Sequence, residues 1–195
     1  MKHRKDLQGD RRVRRTRRQL HEALIALILE RGWDKVSVQD VCDRADVGRS
    51  TFYVHFADKE ELLLSGLEEL HAYMDELRAS ATGTLGFAEA LVEHAQENLR
   101  LFRALVGKKG GPQVLRAFRD VVIRLVEADL ASLGVPAAER PLAARYIAAG
   151  FVELLTTWLD TPSKVEAKTL AGTFRRLTSG VLELWGARSR PSPVR

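Results

Sequence analysis

Cysteine is nearly missing: Cys42 is the only one among 195 residues, so no intrachain disulfide can form and no cysteine-based zinc site can be assembled within one chain. That usage fits a reducing cytoplasm. Cys42 lies in the helical pattern VQDVCDRA and reads as a small packing residue rather than a nucleophile. Long apolar runs are missing too. The stretch ALIALIL at 23–29 follows a basic start, but His21, Glu22, Glu30 and Arg31 flank it closely and no small-x-small cleavage site follows, so it is not expected to be a signal peptide. No stretch approaches the ~18 apolar residues of a membrane span, and a soluble, cytoplasmic chain without a membrane partner is expected. Proline is sparse, and all six (112, 136, 141, 162, 191 and 193) fall at proposed breaks or in the tail. No segment shows the strict alternation of a strand, which leaves an all-α fold.

The motifs of common catalytic sites are also absent. Gly107, Lys108, Lys109, Gly110, Gly111 and Pro112 form a basic, glycine-rich loop that lacks the spacing and the Ser or Thr of a phosphate loop. The five histidines (3, 21, 55, 71 and 94) include no HExxH pair, and His71 with Asp75 reads as a surface pair on one helix face. No nucleophile, base and acid are legible together. The expectation is a protein that is not an enzyme and has no cofactor and no metal site.

What the chain has is unevenly placed positive charge. Residues 1–18 carry nine Lys or Arg against two acids, residues 19–60 have a net charge of −3, and residues 61–195 a net of +1. The excess is an N-terminal arm, suited to a polyanion because Arg neutralises phosphates and releases condensed counterions. The same arm could equally be a solvated tail.

Helical signals follow. Thr16 can cap a helix whose Leu20, Ala23, Leu24, Leu27 and Ile28 recur at helical spacing until Gly32. Ser37 caps a second helix, a tight turn at Asp46 and Val47 leads to a third at about 48–54, and Asp58 caps a fourth that runs to about Ala79. SATGTLG at 80–86 is a joint. Further helices are expected near 85–99, 100–106, 113–133, 139–159 and 164–186. The division is a flexible arm at 1–15, a three-helix unit at 16–60, a larger helical unit at 61–187 and a frayed tail at 188–195.

Residues 37–54 thus read as helix, turn, helix, braced by the first helix; in such a plan the second helix of the pair lies in the major groove. Val47, Phe52 and Phe56 would anchor the short helix. Arg49, Ser50, Thr51 and Tyr53 would face outward, with Arg able to pair with guanine and Thr able to meet a thymine methyl. Tyr53, His55 and Lys59 suit phosphates, and Ser37 could add another phosphate contact.

Residues 16–64 closely resemble the DNA-binding domain of the tetracycline-repressor (TetR/AcrR) family of bacterial transcription regulators. The likeness rests on Gly32-Trp33, Val36-Ser37-Val38, Ala45-x-Val47, Thr51-Phe52-Tyr53, His55-Phe56 and Lys59-Glu60-x-Leu62. Asp46 stands where that family often has Gly, and Gly48 where it often has Ser. The resemblance implies a homodimer on a palindromic operator of double-stranded DNA, released by a small-molecule effector through movement of the fourth helix. An activator, or a regulator whose effector promotes DNA binding, would look the same.

The resemblance also implies that the last two helices pair. Ile147, Phe151, Leu154 and Trp158, and Leu170, Phe174, Leu177, Val181 and Leu184, form two apolar seams that could serve that pairing or the chain's own core. Phe87, Phe102, Phe118, Tyr146 and Trp158 are candidates for an effector pocket, or for ordinary packing. Two rival classes stay open: a sequence-independent architectural DNA-binding protein driven by the arm, and a small-molecule enzyme.

Overall fold

A computed structural model describes the backbone of residues 2–80, 84–108, 111–161 and 165–188, and the side chains of 11–78, 84–108, 111–161 and 165–183. Among these the regular structure is helical: α1 (Lys2–Arg31), α2 (Val38–Ala45), α3 (Arg49–His55), α4 (Lys59–Ser80), α5 (Phe87–Glu97), α6 (Leu99–Leu105), α7 (Pro112–Ser132), α8 (Arg140–Asp160) and α9 (Ala167–Arg188), with one 3-10 turn at Trp33–Lys35. The all-α expectation holds.

The first helix begins at Lys2 rather than at Thr16. Nothing between them interrupts a helix: there is no proline, Gly9 is the only glycine, and Arg, Lys, Gln and Leu are good helix formers. The backbone of the basic arm is therefore a helical extension of α1, with Arg11, Arg14, Arg15 and Arg18 recurring at i, i+3, i+4 and i+7 along one side.

Leu20, Leu24, Leu27 and Ile28 of α1 are each at most 1% exposed. They join a continuous apolar core that extends from α2 and α3 to Phe151 and Phe174. Helix α1 packs on α2, α4 and α6, while α4 packs on α1, α5 and α7, so the two together join the N-terminal helices to the larger C-terminal set. Helices α7 and α8 pack together, as do α5 and α9. The C-terminus of α7 closes with Gly134 at φ 74, Gly134 N–H donating to Ala131 O and Val135 N–H to Leu130 O. That pairing satisfies carbonyls which the end of a helix otherwise strands.

Helix α8 is the one described helix long and apolar enough to cross a membrane by length and composition. Ile147, Phe151, Leu155 and Leu159 are instead buried among its neighbours. Within the joint expected at 80–86, residues 81–83 lie outside the described residues, while Leu85 is buried and left-handed at φ 58. The tail from 189 onward also lies outside them.

Candidate nucleic-acid interface and internal cavity

Ser37 opens α2 with a capping box: its Oγ accepts from the Asp40 amide and bonds the Asp40 carboxylate, which in turn accepts from the Ser37 amide at 2.9 Å. Arg31 of α1 donates to the other oxygen of that carboxylate at 3.0 Å. These hydrogen bonds hold the Asp40 carboxyl below its ordinary pKa, the Ser37 hydroxyl contributing most. The Ser37 hydroxyl expected to meet a phosphate is thus engaged in starting its own helix.

Helix α2 ends on Asp46 at φ 53, ψ 47, with Asp46 N–H donating to Asp43 O and Val47 N–H to Cys42 O. This is the same closure that Gly134 gives α7, made here by an aspartate, a residue that tolerates the left-handed region better than most. Cys42 is 2% exposed, and burial raises its thiol pKa, as suits a packing residue.

The short helix α3 starts at Gly48, which provides no side-chain cap. Phe52 and Phe56 are buried and Val47 packs against the same core, so the anchors stand as expected. Arg49, Ser50, Thr51 and Tyr53 face solvent. Arg49 Nη2 donates to Tyr53 Oη at 3.1 Å and its guanidinium lies 5.7 Å from the Tyr53 ring centre, so the two form one unit. Val54, absent from the sequence-based set, is 79% exposed on this surface. It lies four residues beyond Ser50, on the same face, and such an exposed branched apolar side chain can meet a thymine methyl. His55 is half-buried and leans on Phe56.

Lys59 departs most from expectation. Its Nζ donates to Val36 O at 2.8 Å and Trp33 O at 3.2 Å and sits 4.4 Å from the Trp33 ring centre. The ammonium, expected on a phosphate, is tied to two carbonyls of the segment between α1 and α2. Arg17 of α1 lies 4.7 Å over the ring of Phe56, the residue that ends α3, which fixes the basic extension next to the outward face.

Behind this surface lies a cavity of about 370 Å³, walled by α1, α4, α5, α6 and α7. Phe102 and Phe118 line it as expected. The other three candidates do not. Phe87 is fully buried in a cluster with Phe151 and Phe174, at centroid distances of 5.4 and 6.5 Å. Tyr146 is 69% exposed on the outer face of α8. Trp158 ties α8 to the start of α9 by donating from Nε1 to Val165 O at 2.9 Å. Sequence reading looked for aromatics alone and missed the polar lining: His21, Glu69, Tyr73, His94 and Asn98.

His21 joins cavity and surface. Its Nε2 is 2.9 Å from Ser65 Oγ on α4, and its ring meets Phe56 edge-on at 5.9 Å. Ser65 Oγ donates its one proton to Leu62 O at 2.8 Å, so it accepts from His21 Nε2–H and leaves Nδ1 as an acceptor. Burial lowers the His21 pKa, offset in part by Glu69 and reinforced by Arg17. Burial likewise lowers that of His94.

The seam residues divide. Ile147, Phe151, Leu170 and Phe174 are buried within their own chain, Leu154 and Val181 are half-buried, and Leu177 is 68% exposed; the side chain of Leu184 lies outside the described residues. The stripe left facing outward combines Leu142, Tyr146, Gly150, Leu154, Leu177, Gly180 and Val181. It flanks an open groove between α8 and α9. The apolar periodicity thus marked both contacts: Ile147, Phe151, Leu170 and Phe174 serve the intrachain core, while Leu154, Leu177 and Val181 belong to the outward stripe.

Residues 20–65 match the sequence model for bacterial regulatory proteins of the tetR family, and residues 84–180 that for a transcriptional regulator C-terminal region. The chain is 30% identical over 178 residues to the HTH-type transcriptional regulator YxbF of Bacillus subtilis (strain 168), an alignment covering 87% of this chain and 46% of that protein. It is 32% identical over 74 residues to the HTH-type transcriptional regulator TcmR of Streptomyces glaucescens, covering 37% and 33%. The chain spans less than half the length of these curated relatives. A TetR transcriptional regulator from Streptococcus agalactiae superposes with a TM-score of 0.66 at 25% identity, over 88% of this chain and 98% of that one.

Proposed function

We propose that this chain, which belongs to the tetR family of bacterial regulatory proteins, is a repressor that binds a palindromic operator as a homodimer and is released by a small-molecule effector. In this reading Arg49, Ser50, Thr51, Tyr53 and Val54 meet base edges and phosphates in the major groove, and the α1 extension supplies further phosphate contacts. His55 is a secondary contact, while Ser37 and Lys59 support the helices that carry the others. The protein acts in the cytoplasm, where DNA and effector meet.

One observation carries the effector reading: a single imidazole, His21, both lines the cavity and packs on Phe56 at the end of α3. A molecule entering the cavity touches α1 and α4, the helices that join the two parts of the chain. Two half-sites lie roughly 34 to 36 Å apart, so a small change in the spacing of two α3 helices costs much affinity.

The dimer reading rests on the outward stripe of α8 and α9. Tyr146 and Leu177 are exposed there, and a methyl group added at Gly150 or Gly180 would meet nothing within 4 Å. Mid-helix glycine costs roughly 0.5–1 kcal/mol relative to Ala, a cost that close approach of a partner helix would offset. A second chain laid on this stripe covers the exposed apolar groups and completes a four-helix bundle.

The test is footprinting on DNA flanking the chain's own gene, against scrambled DNA of equal length at ~150 mM salt. A palindromic protected site is expected, with Arg49→Ala costing about 1–3 kcal/mol at one base position of each half-site. Equal binding to both DNAs would overturn the operator reading in favour of an architectural protein.

A further inference from the structure

The polar lining of the cavity is one-sided. Its walls include Glu69, His21, His94, Tyr73 and Asn98, and no Lys or Arg. Glu69 stands exposed at the cavity rim and makes no ion pair or hydrogen bond among the described residues. His21 has committed Nε2–H to Ser65, and its Nδ1 carries a lone pair with no protein donor. The rest of the wall is apolar or aromatic, with Phe102 and Phe118 edge to face at 6.0 Å.

We infer that the cavity is built for a protonated aromatic amine: the ring lies among Leu67, Leu101, Phe102 and Phe118, and the ammonium donates to His21 Nδ1 and pairs with Glu69. This rests on the cavity being the effector site.

The choice follows from what each alternative would lack. A carboxylate or phosphate would meet the like charge of Glu69 at the rim, with no Lys or Arg in the wall to answer it. The nearby Arg17 guanidinium is turned onto the outer face of Phe56 and does not line the cavity. A neutral aromatic would satisfy the apolar walls but gain nothing from the Glu69 carboxylate at the exposed rim. An ammonium supplies both a charge for Glu69 and an N–H for Nδ1, and Tyr73 and Phe102 in the same wall are rings a cation can sit against. Because the ammonium engages His21, occupancy is felt directly at the residue that touches Phe56.

Three probes of one shape separate these cases: 2-(1-naphthyl)ethylamine, 2-(1-naphthyl)ethanol and 1-naphthylacetate, titrated calorimetrically into the full chain at neutral pH. The amine is expected to bind about tenfold tighter than the alcohol, and the acid weakest. Glu69→Gln should bring the amine to within about threefold of the alcohol while leaving alcohol binding unchanged. Leu101→Trp, which fills the cavity, should abolish binding of all three. An acid that binds as tightly as the amine, or an amine no tighter than the alcohol, overturns the charge assignment and leaves the effector cavity standing. If none of the three binds, the cavity reading falls and the inference falls with it.

Discussion

Replacing Lys59 with Met separates two roles for one ammonium. The thioether chain keeps the apolar stem in place and removes only the charge and its donors. The substitution deletes two charge-assisted hydrogen bonds, at 2.8 and 3.2 Å, and a cation over the Trp33 ring at 4.4 Å. In a fully buried setting each bond would be worth about 1.5–3 kcal/mol, and the ring interaction about 0.5–1 more. Lys59 is half-buried, so water replaces part of this, and a net destabilisation of about 2–3 kcal/mol is the expected outcome. For a chain of this length that lowers the melting temperature by roughly 5–10 °C. The assay is thermal unfolding by circular dichroism, paired with operator affinity measured against salt well below the melting temperature. If Lys59 holds carbonyls, the salt slope stays unchanged. If it neutralised a phosphate instead, the substitution would flatten the slope by about 2, one for each chain of a dimer. An unchanged melting temperature with a flattened slope would refute the structural role.

Leu177→Glu places a charge in the outward stripe of α8 and α9, and should give a monomer by sedimentation that keeps its helicity but loses most operator affinity; a variant that remains dimeric would exclude this face. Gly66→Ala adds a methyl 3.2 Å from the His21 ring, which must yield by a few tenths of an ångström, while alanine in place of a mid-helix glycine favours the helix by up to about 1 kcal/mol. Operator affinity should therefore fall without loss of thermal stability, and unaltered affinity would show that the α1–α4 contact does not reach α3. Burial lowers the pKa of both His21 and His94 from 6.5, so the unfolded chain takes up protons before the folded one and stability declines as pH falls below about 6.5. Asp129, raised from 3.8 by desolvation, acts with the opposite sign in more acidic solution, so denaturant midpoints at pH 7.5 and 5.5 should be compared between wild type and His21→Phe; equal pH dependence in the two would exclude His21 as a source.

The helices, the cap at Ser37 and the tight turn at Asp46 were legible because each depends on neighbours within a few residues. The Asp46 turn needs only a residue that tolerates positive φ, and Asp in the spacing Ala45-x-Val47 was sufficient notice. Lys59 was not legible: its partners are carbonyls 23 and 26 residues away, and a lysine at the start of a helix beside a candidate interface looks like a phosphate ligand from sequence alone. Thr16 misled for the opposite reason. It has the chemistry of a cap, yet a cap marks a boundary only where the preceding residues leave the helix, and here they are strong helix formers. Periodicity marked apolar seams but could not say which of their residues face the chain's own core and which face outward, because intrachain and interchain packing ask for the same residues. Val54 was overlooked because an apolar residue in a short helix is first assigned to the core; its position four after Ser50 was the available signal.

The cavity shows why the aromatics were the weaker guide. Phe87 is as aromatic as Phe102, but it points into a stack with Phe151 and Phe174, where each ring meets another edge to face and leaves no space. A pocket needs walls that fail to meet, and that failure belongs to the helix arrangement rather than to residue type. His21 matters for the same reason: it contributes one wall, one unused lone pair and one contact to α3. An effector can shift the operator equilibrium only by the difference in its affinity for the two states. If, as proposed, a ligand at Nδ1 and an operator at α3 both act on the position of this imidazole, each must change the affinity of the other by the same factor. Operator DNA should therefore weaken effector binding as much as effector weakens operator binding.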